Sequence, residues 1–313
     1  MSQFYLRGFI DREADESWLH VLDRDKRDTF KTKPRNLAAV RDFNRVNAEG
    51  VDPNAFETEM SRLESAAAGA WVRVHEGLPF EGEDRELILT MAALQHIRTP
   101  ERREQWRQTR AHSAEVVMDA VLASEDRWNA HVRRAREAGA DLPEVSYAEA
   151  TRFYEEKAYR IDVSQEGHLH MEFVGLDVVM PLFLARNWVL FRTDPRIEPF
   201  ITSDQPVHLA WINPENVPPI HRNHPGHGFK DTRVWFPLSS ELALVGEFDG
   251  PTGEHRAHPD GVAIINHMTM RGSRRRLYAP TLDFHYLTSD GSIHDGHHLL
   301  EKLRESPAQE ILI

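Results

Sequence analysis

Three polar side chains fall on helical stripes that are otherwise apolar, positions where either chemistry or a structural lock has to be built. In residues 56–75, Phe56, Met60, Leu63, Ala67, Ala70, Trp71 and Val74 recur at helical spacing, and Glu64 shares their stripe, four residues after Met60 and seven before Trp71. In residues 83–98, Leu87, Ile88, Met91 and Leu94 form a second stripe, and Gln95 and Arg98 follow Met91 by four and seven residues. A carboxylate and a guanidinium directed inward by adjacent helices are expected to meet, because a buried charge without a partner costs on the order of several kcal/mol. A carboxylate can move a proton, while Arg98 with Gln95 can orient an anionic group. The bland alternative is a clamp that only joins two helices.

A fourth polar side chain, an acidic one, stands at a strand end. In "PFITSDQPV", Asp204 closes a short β run and Pro206 blocks its continuation, with the hydroxyls of Thr202 and Ser203 alongside. Asp204 is a candidate general base or metal ligand, and Ser203 and Thr202 are candidate hydroxyl donors. The competing reading is a turn in which Asp204 bonds backbone amides near Pro206. The catalytic reading requires Glu64, Arg98 and Asp204 to converge in one cleft.

The elements that must position these residues follow from spacing and turn chemistry. The first 45 residues read as short strands and turns, including "SWLHVLDRD" and "NLAAVRDF". Gly77 and Pro79 end the first helix, and Thr99 with Pro100 stops the second and starts a long charged helical region to about residue 138, broken near "ASEDR". Ser146 and Glu149 have capping-box spacing and open a helix through Ala158. Residues 167–187 are helical, kinked or started late by Pro181. Then "WVLFRT", "FITSD", "RVWFPLSS" and "ELALVGEF" read as strands, "PDGVAIINHMTMRG" as a short helix and "RRRLYA" as a last strand. The expected fold is α+β, a helical middle packed on a mainly antiparallel sheet formed by the N-terminal and C-terminal strands. A single domain over 1–313 is expected, the alternative being a mainly helical 1–190 and a β-rich 191–313.

Composition excludes several classes of function. The 313 residues carry a net charge of −12, which disfavours nucleic acid and anionic membranes as partners. With no cysteine there are no disulfides and no thiolate metal sites. The opening residues lack a signal-peptide pattern, and the best apolar run, "VGLDVVMPLFLA", is short and holds Asp177 and Pro181, so a soluble cytoplasmic protein is expected. Of 18 histidines, 13 lie from His168 onward. His168 and His170 are weak metal candidates that share a face on a strand but diverge on the expected helix, and "HRNHPGHG" reads as an exposed loop. Arg274, Arg275 and Arg276 follow a helix end, as a solvated basic face or a local phosphate site. Phosphate-loop and dinucleotide fingerprints are absent, which leaves a divalent metal as the one cofactor in view.

"QFYLRGF", "LQHIRTPERR", "PFITSDQPV" and "FPLSSELALV" occur in the order seen in the bacterial family catalogued as domain of unknown function number 4238, which the chain resembles over almost its whole length. The resemblance implies that Gln3, Phe4, Tyr5 and Leu6 belong to the family's opening motif, Arg98, Thr99 and Pro100 to its central one, and Thr202, Ser203, Asp204 and Pro206 to its third. Gln205 replaces the family's usual Asn. The family's opening His-Tyr-Val-Pro segment is absent, with Met1 and Ser2 where its last residues stand, so either the start lies upstream or this member lacks that histidine. The expected function is a hydrolase-like enzyme for a small polar or phosphorylated substrate, with Asp204, Glu64, Arg98, Gln95 and Ser203 catalytic and Thr202, Arg7 and Tyr5 binding substrate. The alternative is a non-catalytic accessory or partner-binding protein in which the same cluster is structural.

Overall fold

Periodicity and capping chemistry set most of the element order. The structure is a computed structural model that describes residues 2–11, 17–37, 55–157, 159–223 and 225–305. α1 (Gln3–Leu6) runs into a 3-10 turn at Arg7–Phe9, and β1 (Leu19–Asp23) folds back into β2 (Asp28–Thr32). α2 (Ala55–His75) is followed by Gly77 at φ 100°, a conformation that suits glycine, and α3 (Gly82–Ile97) stops before Arg98. α4 (Pro100–Leu122) has its proline in the first turn, where no N–H is needed. α5 (Glu125–Glu137) is capped by Ser124, and α6 (Tyr147–Glu155) by a reciprocal capping box of Ser146 and Glu149. α7 (Gln165–Leu184) starts early and carries Pro181 inside its last turn. There follow β3 (Asn187–Arg192), β4 (Thr202–Ser203), β5 (His208–Trp211), β6 (Thr232–Pro237), β7 (Leu242–Glu247) and β8 (Gly253–Arg256). The chain continues through α8 (Pro259–Gly272), β9 (Arg276–Ala279), β10 (His285–Leu287), β11 (Ile293–Asp295) and α9 (Gly296–Glu305).

The chain divides into two compact units, Met1–Thr99 with Met171–Ile313, and Pro100–His170. The smaller is helical. Its helices are joined by tyrosine hydroxyls: Tyr147 donates to the Leu122 carbonyl at 2.8 Å, and Tyr154 to Asp119 Oδ1 at 2.7 Å and the Glu115 carbonyl at 3.1 Å.

The larger unit holds the sheets. One has four strands in the order β2-β1-β9-β4, all neighbours antiparallel, so N-terminal and C-terminal strands do share a sheet. β1 sits between two partners, and Leu19, Val21, Leu22 and Asp23 are all buried, so simple alternation is lost. A second sheet of five, β5-β6-β7-β3-β8, is built from C-terminal strands alone, and its β3/β8 pair is parallel. The single sheet expected from the sequence is thus replaced by two larger sheets and a β10/β11 hairpin. The physical break is at β4, which pairs for only two residues before the turn at Gln205 and Pro206. In the five-stranded sheet Gly246 faces the Trp188 ring, which a β-carbon would approach to 2.7 Å.

α8 bridges the two sheets. Val262 and Ile265 pack with Phe200, Trp235, Ala243 and Val245, while Met270 packs with Leu22, Ile201, Leu277 and α9's Leu299 and Leu303. Each such large side chain contributes about 1.5–3 kcal/mol when fully buried. Between them Asn266 accepts from the Ile201 amide and donates to the Pro199 and His285 carbonyls. The opening "QFYL" is helical rather than extended, and most of "NLAAVRDF", residues 38–43, lies outside the described residues. Among the described residues no helix is long and apolar enough to cross a membrane.

Candidate functional site

Three distant stretches meet at Tyr5. Its hydroxyl lies 2.6 Å from Thr202 Oγ1 and donates to the Pro237 carbonyl at 2.7 Å, 197 and 232 residues away in sequence. Its ring stacks on Phe236 at 5.7 Å and meets Trp71 edge-on at 5.9 Å. Trp71 in turn donates its indole N–H to the Leu238 carbonyl at 3.1 Å, and the Ser240 amide donates to the Gly8 carbonyl at 2.8 Å. The opening stretch, the strand-end stretch and "FPLSS" therefore form one packed latch. Tyr5 is fully buried, and burial pushes its phenol well above the usual range. Of the predicted substrate contacts, Tyr5 and Thr202 are brought together as this buried bond, while Arg7 points to solvent from the adjoining turn.

Asp204 is held differently from the expectation. Its carboxylate accepts the backbone N–H groups of Arg274 at 3.0 Å, Arg275 at 2.8 Å and Arg276 at 3.3 Å, and its own amide donates to the Arg276 carbonyl at 3.0 Å. A carboxylate with both oxygens accepting from backbone amides anchors the α8–β9 connection to β4. The turn itself belongs to Ser203, whose hydroxyl accepts from the Gln205 amide at 3.1 Å and donates to the Gln205 carbonyl at 2.8 Å. The arginine run is likewise occupied. Arg275 and Arg276 bond the fully buried Asp23 through their Nε atoms, at 3.2 and 3.0 Å, which replaces the solvated basic face. Burial alone raises the Asp23 pKa, but hydrogen bonds from Arg275, Arg276 and the Lys26 amide outweigh it and hold the carboxyl below its usual range.

The helix pair keeps its polar cluster with a different ion pair. Arg98 Nε donates to Glu172 Oε2 at 3.0 Å, and Glu172, on α7, is 3% exposed. Glu64 is half-buried on α2, and burial raises its pKa, with the positive charge of Arg98 opposing the rise. Gln95 is 8% exposed, and neither its amide nitrogen nor its amide oxygen has a hydrogen-bond partner. Beside it His96 Nε2 lies 2.9 Å from His227 Nε2. Glu64 thus lies within reach of the Arg98 charge, with Gln95 three residues before Arg98 at the end of α3, while Asp204, Ser203 and Thr202 are engaged with β9, Gln205 and Tyr5. The missed member, Glu172, carries the same signal that found Glu64: it lies on a stripe with Leu176, Val179 and Phe183.

Arg186 was also missed. Among the described residues it is the largest fully buried side chain, and its guanidinium donates to the Thr232 carbonyl at 2.7 Å, to Thr232 Oγ1 at 2.9 Å and to the His227 carbonyl at 3.0 Å while stacking on Phe248. Burial lowers its pKa to about 10, opposed by the charge of Glu247. The histidines gather no ligand set: His168 and His170 lie two apart on α7, and among the described residues no three His, Asp, Glu or Cys side chains come together as a metal would need. His224 of the loop cluster lies outside the described residues. An open basin of about 830 Å³ is lined by Arg192, Asp194, Arg196, Glu241, Glu254 and Arg256 among others, but it is largely self-neutralising. There Arg192 pairs with Glu254, Arg196 with Asp194, and His75 with Glu241.

The family model described as Protein of unknown function (DUF4238) matches residues 1–282, and the chain belongs to that family. No curated protein and no solved structure matches it.

Proposed function

We propose that this member of the DUF4238 family is a hydrolase-like enzyme whose reactive region is the α2/α3/α7 cluster, with a small polar or phosphorylated molecule as substrate. Gln95 carries the reading. A buried primary amide with neither end bonded is a stability defect unless something else completes it, and a substrate carbonyl, hydroxyl or phosphate oxygen does so. Glu64, with its proton affinity raised by burial, is the carboxylate in this cluster suited to give and take a proton. Arg98, fixed by Glu172, orients an anionic portion of the substrate. The test is turnover of a panel of phosphate monoesters, carboxylic esters and amides by the wild type and by Glu64→Gln. The expected result is one class turned over by the wild type and slowed about 100-fold or more in the variant. Equal turnover by both, or no turnover of any class, counts against the reading.

A second reading, a non-catalytic partner-binding protein, is favoured by one observation. The Arg98–Glu172 pair ties the end of α3 to α7 in a geometry that already satisfies both charges. On that reading, apolar replacement of the pair leaves partner binding intact.

A further inference from the structure

Strand register places an apolar floor on one face of the five-stranded sheet. Val245 pairs with Val189 on one side and with Trp235 on the other, and Glu247 stands in the same way between Asn187 and Arg233, so these side chains share a face. α8 seals part of this face through Val262 and Ile265. Over the rest it leaves a cavity of about 270 Å³, bounded on the sheet side by Val189, Phe191, Trp235 and Val245 and on the helix side by Gly261 and Ile264.

Three observations define the occupant. The volume suits one substituted ring or a short branched chain and is too small for a peptide helix. The charged side chains at its edge, Arg233 and Glu247, neutralise each other in an ion pair, which leaves no net charge to recruit an ion. Most telling is Trp235. Of the three buried tryptophans among the described residues, Trp71 donates its indole N–H to the Leu238 carbonyl and Trp188 to that of Phe183, whereas Trp235, 6% exposed, has its Nε1 buried with no acceptor. Gly261 adds to this. A β-carbon there meets nothing within 4 Å, although a glycine inside a helix is disfavoured relative to alanine. The bare backbone at that position keeps the cavity open.

We infer that this cavity binds a small, uncharged, mostly apolar molecule carrying one carbonyl-type acceptor, which takes the Trp235 indole N–H. Trp235 is one of the residues that line the cavity, and the acceptor its N–H lacks is what such a molecule supplies. The site uses none of the α2/α3/α7 cluster, and its fate is independent of the proposed hydrolytic reading.

The test is a titration of the full chain, 15N-labelled at tryptophan, with acetophenone and with α-methylstyrene, which has the same shape with CH2 in place of the oxygen. The Trp235 indole resonance is identified by its loss in Trp235→Phe. The expected result is a saturable shift of that resonance with acetophenone and about tenfold weaker binding of α-methylstyrene, the worth of one hydrogen bond. Gly261→Leu fills the space and abolishes the shift while the other indole resonances stay in place. If that variant fails to fold, Ile264→Trp closes the same opening from an exposed position. No saturable shift, equal binding of the two compounds, or undiminished binding in the filled variant overturns the inference.

Discussion

Replacing Gln95 by Met removes a buried amide and keeps a side chain of similar length and shape. Both polar atoms of Gln95 are inaccessible to water and unbonded within the protein, so folding strips them of solvent with no return. Each orphaned group costs about 1–3 kcal/mol. Counting both and allowing for imperfect repacking of the thioether, Gln95→Met is expected to stabilise the chain by about 2 kcal/mol. At about 2–4 °C per kcal/mol for a unit of this size, the melting temperature rises by about 4–8 °C. The assay is reversible urea unfolding, read by the midpoint at constant m-value, with a thermal scan beside it. The same variant should lose whatever turnover or ligand binding the α2/α3/α7 cluster supports, the pattern of a group retained for function at the expense of stability. A variant less stable than wild type refutes the reasoning, because it means that the amide is satisfied inside the folded protein.

Asp204→Asn retains one acceptor oxygen for three backbone amides and should lower stability by about 2–4 kcal/mol in urea titration; an unchanged midpoint removes the anchoring role. Arg98→Met leaves Glu172 buried without its guanidinium and should cost about 3–5 kcal/mol, while Arg98→Met with Glu172→Met should recover most of that loss. A double-mutant cycle on the same titration decides it, and additive losses dissolve the pair. Burial, with Arg271 and His267 adding their charge, lowers the His208 pKa to about 4, so the unfolded chain binds more protons than the folded one between about pH 6.5 and 4. Stability therefore falls as pH drops through that window, and His208→Gln should flatten the curve there; an unaltered pH profile rules out the histidine as its source.

Legibility followed the range of the interaction. The stripes that define α2 and α3, the capping box at Ser146 and the proline start of α4 depend on neighbours within one or two turns, and the chain spells them out. The same local logic put Glu64, Gln95 and Arg98 on inward faces. It did not reveal that Arg98 pairs with Glu172 from a third helix, because two inward charges on adjacent helices look complementary until a third arrives. Asp204 reads in sequence as a strand-end acid, either a candidate base or metal ligand or a turn former, but its carboxylate accepts from amides 70 and more residues downstream rather than from those near Pro206. The two-sheet arrangement depends on which strand lies beside which, and residue alternation says nothing about that. β1 illustrates it: flanked by β2 and β9, it buries neighbours on both faces.

The Tyr5 latch has a consequence for how the chain is made. The Tyr5 phenol finds its acceptor only after Pro237, 232 residues later, has been synthesised. β1 waits longer still, since its partner β9 begins at Arg276. At about 5–20 residues per second, the Tyr5 side chain stays without its final partners for about 10–50 s. Throughout that interval the phenol belongs to an unfinished surface that only the later strands complete.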